Sequence, residues 1–131
     1  MISTDLKIKY FIDHLVLTVS NIPTTRMFYS KILGEPDYVD NDSIMYFVGE
    51  TRLFFALPLG TLPKEDKFNP NRVGLDHFAL GVRTREDLER IESNLNDQMI
   101  KHSGIHLDKQ SKKEKIWLDD MDGIRLEFFL R

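Results

Sequence analysis

The sequence predicts an α+β fold of two tandem βαβββ modules whose strands form a curved, cup-shaped mixed sheet. Three observations predict it. The segment 12–19 (IDHLVLTV) recurs as 75–82 (LDHFALGV), with Asp, His, Leu and Val in matching places. The segment 51–55 (TRLFF) is answered by 124–128 (IRLEF). Each recurring pair encloses a helical pattern, so the second half of the chain repeats the order of the first.

The first module spans about residues 10–58. Its first strand is apolar and β-branched, as strands prefer. Pro23 fits the first turn of a helix, where a missing N–H costs nothing, and Gly34 favours the end of that helix. The predicted elements are, in order, a strand at 11–19, a helix at 24–33, a short edge strand at 37–39 and a hairpin of strands at 44–48 and 52–57.

The second module spans about residues 73–131, after a linker at 59–72 that contains two prolines and two asparagines. Thr84 with Asp87 resembles a capping box, which predicts a helix start. Leu88, Ile91 and Leu95 then mark one apolar helical face. The predicted strands of this module are 75–82, 105–107, 115–118 and 124–130, with the turn 119–123 before the last.

Composition limits the classes of function. The 131 residues suffice for one domain, 1–131, with a real core. A formal net charge of −3 gives no electrostatic reason to expect nucleic acid or an acidic membrane as a partner. Cysteine is absent, which excludes thiolate and disulfide chemistry. Residues 1–10 lack a continuous apolar stretch, so no signal peptide is expected and a cytoplasmic location is the default.

Two histidines and a glutamate are candidate metal ligands. Side chains alternate between the faces of a strand, so His14, His77 and Glu127 oppose the apolar side chains that suit a helix-covered core. Two imidazoles and one carboxylate form a ligand set that first-row divalent metals favour. The sequence therefore predicts a site for Mn, Fe, Ni, Co or Zn, with Glu127 also the candidate catalytic group.

Each of these residues also has a structural interpretation. Glu127 lies in an apolar run and needs a partner when buried, so a salt bridge to Arg125 or Arg52 is the alternative to metal binding. Asp13 and Asp76 are expected to point to the face opposite the histidines and to hydrogen-bond a turn or a neighbouring strand. The basic run 109–115 is expected to be a solvated turn, and the acidic run 119–122 a turn rather than a calcium loop.

Aromatic and basic residues are expected to line the cup beside Glu127. They are Phe54, Trp117, Phe129, Arg52 and Arg125. An apolar cup with a few polar groups suits a small organic substrate that carries an anionic or carbonyl oxygen. The alternative is a dimer interface, because a second chain would also cover such a surface. His102 and His106 lie in a nearby loop, either as surface residues or as a proton shuttle.

The paired βαβββ units, the Asp-His strand starts and the Asp-Gly-x-x-x-Glu segment at 122–127 resemble the vicinal oxygen chelate superfamily. This superfamily includes glyoxalase I, extradiol dioxygenases, fosfomycin-resistance proteins, methylmalonyl-CoA epimerase and bleomycin-binding proteins. The resemblance covers about residues 11–130. It implies a divalent metal between the two units, with His14, His77 and Glu127 at the ligand positions, and it favours a homodimer.

No named member fits the chain cleanly. Phe54 or Ala56 stands where glyoxalase I has a further glutamate, and Trp117 stands where extradiol dioxygenases have a tyrosine. Val16 replaces the threonine of fosfomycin-modifying members. The prediction is therefore a metal-dependent glyoxalase-like enzyme, of lyase, isomerase or dioxygenase type, whose small substrate chelates the metal through adjacent oxygens. The alternative is a non-catalytic small-molecule binding protein of bleomycin-resistance type.

Overall fold

The computed structural model describes residues 7–131. Its elements follow the repeated order strand, helix and three strands. They are β1 (His14–Thr18), α1 (Ile22–Leu33), β2 (Tyr38–Val39), β3 (Ser43–Val48), β4 (Thr51–Ala56), β5 (Phe78–Val82), α2 (Arg85–Asp97), β6 (His106–Leu107), β7 (Glu114–Asp119) and β8 (Arg125–Leu130). The predicted α+β fold with two βαβββ modules is confirmed.

The strands form two separate four-stranded sheets, neither of which closes. The orders are β1-β4-β3-β2 and β5-β8-β7-β6. In each sheet the first strand runs parallel to the last strand of its module, and the other pairs are antiparallel. The predicted single cup is therefore divided between two sheets. The strands β1 and β5, which carry or follow the histidines, each lie at a sheet edge.

One hydrophobic core joins the two modules. Helix α1 packs on β3 and β4, α2 packs on β5, β7 and β8, and the two helices contact each other. The rings of Phe55 and Phe78, from opposite modules, lie 6.4 Å apart between centroids. The helix-covered faces of both sheets thus point into this shared core. Because side chains alternate along a strand, His14 and Glu127 belong to the outer faces.

Hydrogen bonds at the helix starts explain where the helices begin. The Asn21 side chain accepts from the backbone N–H of Thr24, and Thr84 Oγ1 accepts from the backbone N–H of Asp87. Each bond satisfies a donor that has no partner within the helix. The predicted start at Thr84 is confirmed. Helix α1 begins two residues before its predicted start, because Asn21 is the cap.

Polar contacts also hold the modules together. Tyr29 Oη donates to Asp120 Oδ2 over 2.7 Å, and the Ser20 hydroxyl donates to Asp122. Asp120 Oδ1 accepts the backbone N–H groups of Asp122 and Ile124, as the predicted turn requires. Burial raises the pKa of Asp120, against the opposing effect of its hydrogen bonds.

Between residues 7 and 131, neither helix is long and apolar enough to cross a membrane.

Candidate functional site

His14 begins β1 on the outer face of the first sheet. It pairs across the sheet with Arg52, and its ring meets that of Phe54 edge-on at 6.3 Å between centroids. Its Nδ1 lies 2.8 Å from the Asp13 carboxylate, and its side chain is 56% exposed. The outer face of the first sheet therefore presents an accessible imidazole beside an aromatic ring.

His77 immediately precedes β5 and lies beside the outer face of the second sheet. Its Nδ1 lies 2.6 Å from the Asp76 carboxylate. Its Nε2 lies 3.6 Å from Glu127 Oε1. In a neutral ring, a carboxylate at Nδ1 favours the tautomer with the proton on that nitrogen, which is the tautomer of histidines that ligate metals through Nε2. The geometry therefore turns a donor atom of His77 toward Glu127.

Glu127 is a buried carboxylate, with 4% of its surface exposed. It lies in the middle of β8, opposite Trp117 on β7 and Ala79 on β5. A carboxylate so far from water needs a cationic partner or a metal to remain ionised.

Lys115 supplies the cationic partner in this structure. Its Nζ lies 3.2 Å from Glu127 Oε1 and 3.2 Å from Asp108 Oδ1, and 5.4 Å from the centroid of Phe129. Burial by itself lowers the pKa of Lys115, but hydrogen bonds and charges from Asp108 and Glu127 outweigh it and raise the pKa. Residue 115 lies at the end of the basic run predicted to be a solvated turn. For Lys115 that prediction is wrong, because β7 carries its side chain onto the outer face.

The predicted salt bridges of Glu127 to arginine are not formed. Arg125 donates to both carboxylate oxygens of Asp119, and its guanidinium stacks 3.6 Å above the Trp117 ring. Arg52 lies on the other sheet, 3.8 Å from Asp13 and 5.5 Å from the centroid of Phe47. The signal that identifies Lys115 is local: it lies two residues before Trp117 and so shares its face.

The predicted pocket residues separate into two groups. Arg125, Trp117 and Phe129 lie on the outer face of the second sheet with Glu127. Arg52 and Phe54 lie on the outer face of the first sheet with His14. No single cup within one chain gathers all five, because the sheets contribute their other faces to the shared core.

The three predicted metal ligands are likewise divided. His77 and Glu127 come together, whereas His14 belongs to the other sheet. Among residues 7–131, no group of three His, Asp or Glu side chains is arranged to hold a metal ion. The donor set of His77 and Glu127 fits a first-row divalent metal in chemistry and in the orientation of Nε2. One chain supplies two of the three donors.

The prediction that the side chains of Asp13 and Asp76 point away from the histidines, as neighbours in a strand do, is wrong. Each carboxylate instead contacts the Nδ1 of the histidine that follows it. Both aspartates precede the first residue pair of a strand, so alternation does not govern them. The repeated Asp-His dipeptide was the signal that pointed to a shared role.

Two further histidines lie near the second sheet. His106 in β6 pairs across the sheet with Lys115, and its Nδ1 lies 3.0 Å from the carbonyl oxygen of Gly104. In a neutral ring, that contact favours the tautomer with the proton on Nδ1. His102 Nε2 lies 2.7 Å from Asn96 Oδ1, which ties it to the end of α2. Of these two histidines, His106 is the one that lies directly across the sheet from Lys115.

No protein-family model and no curated protein sequence matches the chain. Solved structures do. A glyoxalase family protein from Enterococcus faecalis is 26% identical, with a TM-score of 0.71 over 91% of this chain and 96% of that one. A glyoxylase/bleomycin resistance protein/dioxygenase domain from Frankia is 22% identical, with a TM-score of 0.71 over 93% and 98%.

A lactoylglutathione lyase from Agrobacterium tumefaciens is 15% identical, with a TM-score of 0.71 over 95% of this chain and 96% of that one. At these identities the likeness concerns the fold, and the same fold supports several unrelated reactions. It extends over nearly the whole chain in each case. The protein therefore has the fold of the glyoxalase/bleomycin resistance/dioxygenase proteins, which confirms the resemblance to the vicinal oxygen chelate superfamily.

Proposed function

We propose that this protein is a cytoplasmic, metal-dependent glyoxalase-like enzyme that acts on a small substrate with adjacent oxygen atoms. The observation that carries the proposal is the pair formed by His77 and Glu127. A buried carboxylate lies 3.6 Å from an imidazole nitrogen whose ring is held by a second carboxylate. This arrangement is typical of metal-ligating histidines.

The ligand set of the proposed site is His14, His77 and Glu127, around Mn²⁺, Fe²⁺, Ni²⁺, Co²⁺ or Zn²⁺. A bound metal of this class would supply Lewis-acid stabilisation of an oxyanion or, if iron, activation of dioxygen. The aspartates at positions 13 and 76 hold the two imidazoles in one orientation. Arg125, stacked on Trp117, offers a positive charge and a flat apolar surface to the substrate. Glu127 is the proposed catalytic group as well as a ligand.

We also propose that the site is completed in a homodimer. His14 and Glu127 lie on the outer faces of different sheets, and the intervening core keeps them apart within one chain. Among residues 7–131, β1 and β5 are the edge strands of their sheets nearest the two histidines. Exposed apolar side chains surround His14, including Phe11, Ile12 and Val16. Apolar surface of this kind is often covered by a partner.

Elemental analysis of the purified protein tests the metal site first. We expect about one divalent metal per chain and its loss in Glu127→Ala and His77→Ala, because each variant removes a ligand. Glu50→Ala, which removes an exposed carboxylate from a turn of the first module, is the control and should retain the metal. Full metal content in both ligand variants would refute the assignment.

A mixed dimer tests where the ligands come from. Chains carrying His14→Ala and chains carrying His77→Ala are expected to lose metal as separate homodimers. In the mixed dimer, one site combines the intact His14 of one chain with the intact His77 of the other. We expect that dimer to recover about half of the metal bound by the wild type. A site built within one chain would give no recovery, since neither chain has both histidines.

A second candidate function is sequestration of a small molecule without catalysis, as in bleomycin-binding proteins. The observation that favours it is the Lys115–Glu127 ion pair, which satisfies the buried carboxylate without a metal. The stacked Arg125 and Trp117 would then form part of a flat binding surface. Wild-type protein that holds no metal, and takes none up on titration with manganese, zinc, nickel or anaerobic ferrous iron, would favour this function.

A further inference from the structure

We propose that Lys115 is the built-in cation of this site: it neutralises Glu127 in the metal-free protein and lowers the affinity of the site for a divalent metal. The inference rests on the proposed metal-dependent function. It assigns a role to a residue that is neither a ligand nor part of the predicted substrate pocket.

The first step is the position of the ammonium group. Lys115 is only 16% exposed, and its Nζ lies 3.2 Å from the Glu127 oxygen that faces His77. A divalent metal held by His77 and Glu127 would therefore compete with the Lys115 ammonium group for the same carboxylate. Two cations beside one buried carboxylate repel each other strongly, because little water screens them.

The second step is the position of Asp108. Its Oδ1 lies 3.2 Å from the same Nζ. Hydrogen bonds from the backbone N–H and hydroxyl of Ser111, with a contribution from Lys115, lower the pKa of Asp108 to about 2. Asp108 is thus ionised across the physiological range. It gives Lys115 a second partner to keep when a metal takes Glu127.

These contacts predict opposite effects for substitutions of Lys115 and of Asp108. Removal of the lysine charge frees the carboxylate, so metal binding should become tighter. Removal of the Asp108 charge leaves Glu127 as the one carboxylate paired with Lys115 among residues 7–131, so metal binding should become weaker. If Lys115 and Asp108 only filled space, the two substitutions would change the metal affinity in the same direction or leave it unchanged.

Calorimetric titration of the metal-free full-length protein with MnCl₂ tests the inference. Lys115→Met keeps the apolar stem and is expected to bind Mn²⁺ at least about tenfold more tightly than the wild type. Asp108→Asn is expected to bind it more weakly. Lys113→Met, which removes an exposed lysine two residues away, is the control and should match the wild type within about twofold.

Equal Mn²⁺ affinity in the wild type and Lys115→Met would overturn this inference and leave the proposed function intact. Absence of Mn²⁺ binding in both proteins would overturn the two together. Binding by Lys115→Met alone would support both.

A second measurement needs no metal. In urea unfolding of the metal-free protein, Lys115→Met should lower the midpoint, because it leaves a buried carboxylate without a partner. Adding Glu127→Gln to that variant should restore much of the loss. Additive effects of the two substitutions would show that the residues are not coupled and would refute the role of Lys115 as counter-cation.

Discussion

The carboxylate of Asp76 lies 2.6 Å from Nδ1 of His77, and the opposite nitrogen of that ring faces Glu127. The same relationship recurs in the first module, where Asp13 lies 2.8 Å from Nδ1 of His14. The two modules have therefore kept the aspartate and the histidine as a unit. In each unit the aspartate fixes the ring so that one nitrogen is available for binding.

Asp76→Asn is expected to weaken metal binding about 10- to 100-fold, because the amide no longer favours a proton on Nδ1 of His77. Calorimetric titration with MnCl₂ measures the change. Asp97→Asn, at the exposed end of α2, removes the same charge from a residue outside the proposed ligand set and serves as control. An unchanged affinity for Mn²⁺ in Asp76→Asn would show that Asp76 does not orient His77 for metal binding.

Val16→Asp is expected to dissociate the proposed homodimer. Val16 is 52% exposed beside His14 and Phe54 on the outer face of the first sheet, so a charge there would be buried only on dimerisation. Sedimentation velocity gives the mass of the species. Leu59→Asp, at an exposed linker position, should leave the mass unchanged. A dimer in the Val16 variant as stable as that of the wild type would exclude this face from the interface.

Tyr29→Phe is expected to lower the free energy of unfolding by about 1–3 kcal/mol. The substitution removes the hydroxyl that donates to Asp120 between the modules and leaves that carboxylate oxygen short of a partner. Urea denaturation followed by circular dichroism measures the loss. Tyr38→Phe breaks a similar bond to Asp40 at the surface and should have little effect, since water replaces it. Equal losses in the two variants would contradict this explanation.

Protonation of the Asp108 carboxylate is expected to contribute to unfolding at acid pH. Its pKa is lowered from 3.8 to about 2 in the folded protein, so its stabilising effect is complete above the unfolded value. That effect is lost as the pH falls from about 4 through 2. Unfolding free energies from about pH 5 to pH 2 should therefore fall more steeply in the wild type than in Asp108→Asn. Parallel curves for the two proteins would count against the low pKa.

Much of the fold follows from local pattern. The repeated segments 12–19 and 75–82 predict the two modules, and Thr84 predicts the start of α2, because strand alternation and helix capping depend on neighbouring residues. The ends of β1 could not be predicted in this way. The parallel register pairs His14 with Arg52, and β4 begins only one residue earlier, at Thr51. Residues 11 and 12 therefore extend past the start of β4, and β1 begins at His14.

The candidate site was predictable in its residue types and not in its contacts. The faces of Glu127 and Trp117 followed from alternation. The ion pair between Glu127 and Lys115 did not, because it joins β7 and β8 across the sheet and competes with two arginines that the sequence equally allows. The arginines found other partners, Asp119 and Asp13, in the folded chain.

The sequence by itself determined two βαβββ modules, each with a histidine at the start of its first strand, and a glutamate on the last strand of the second. Periodicity can be seen within each short segment, and repetition can be seen when two segments of the sequence are compared. Only the tertiary structure decided that the helix-covered faces of both modules share one core. That packing separates His14 from His77 and Glu127, because burial of apolar surface between the modules turns their polar faces outward.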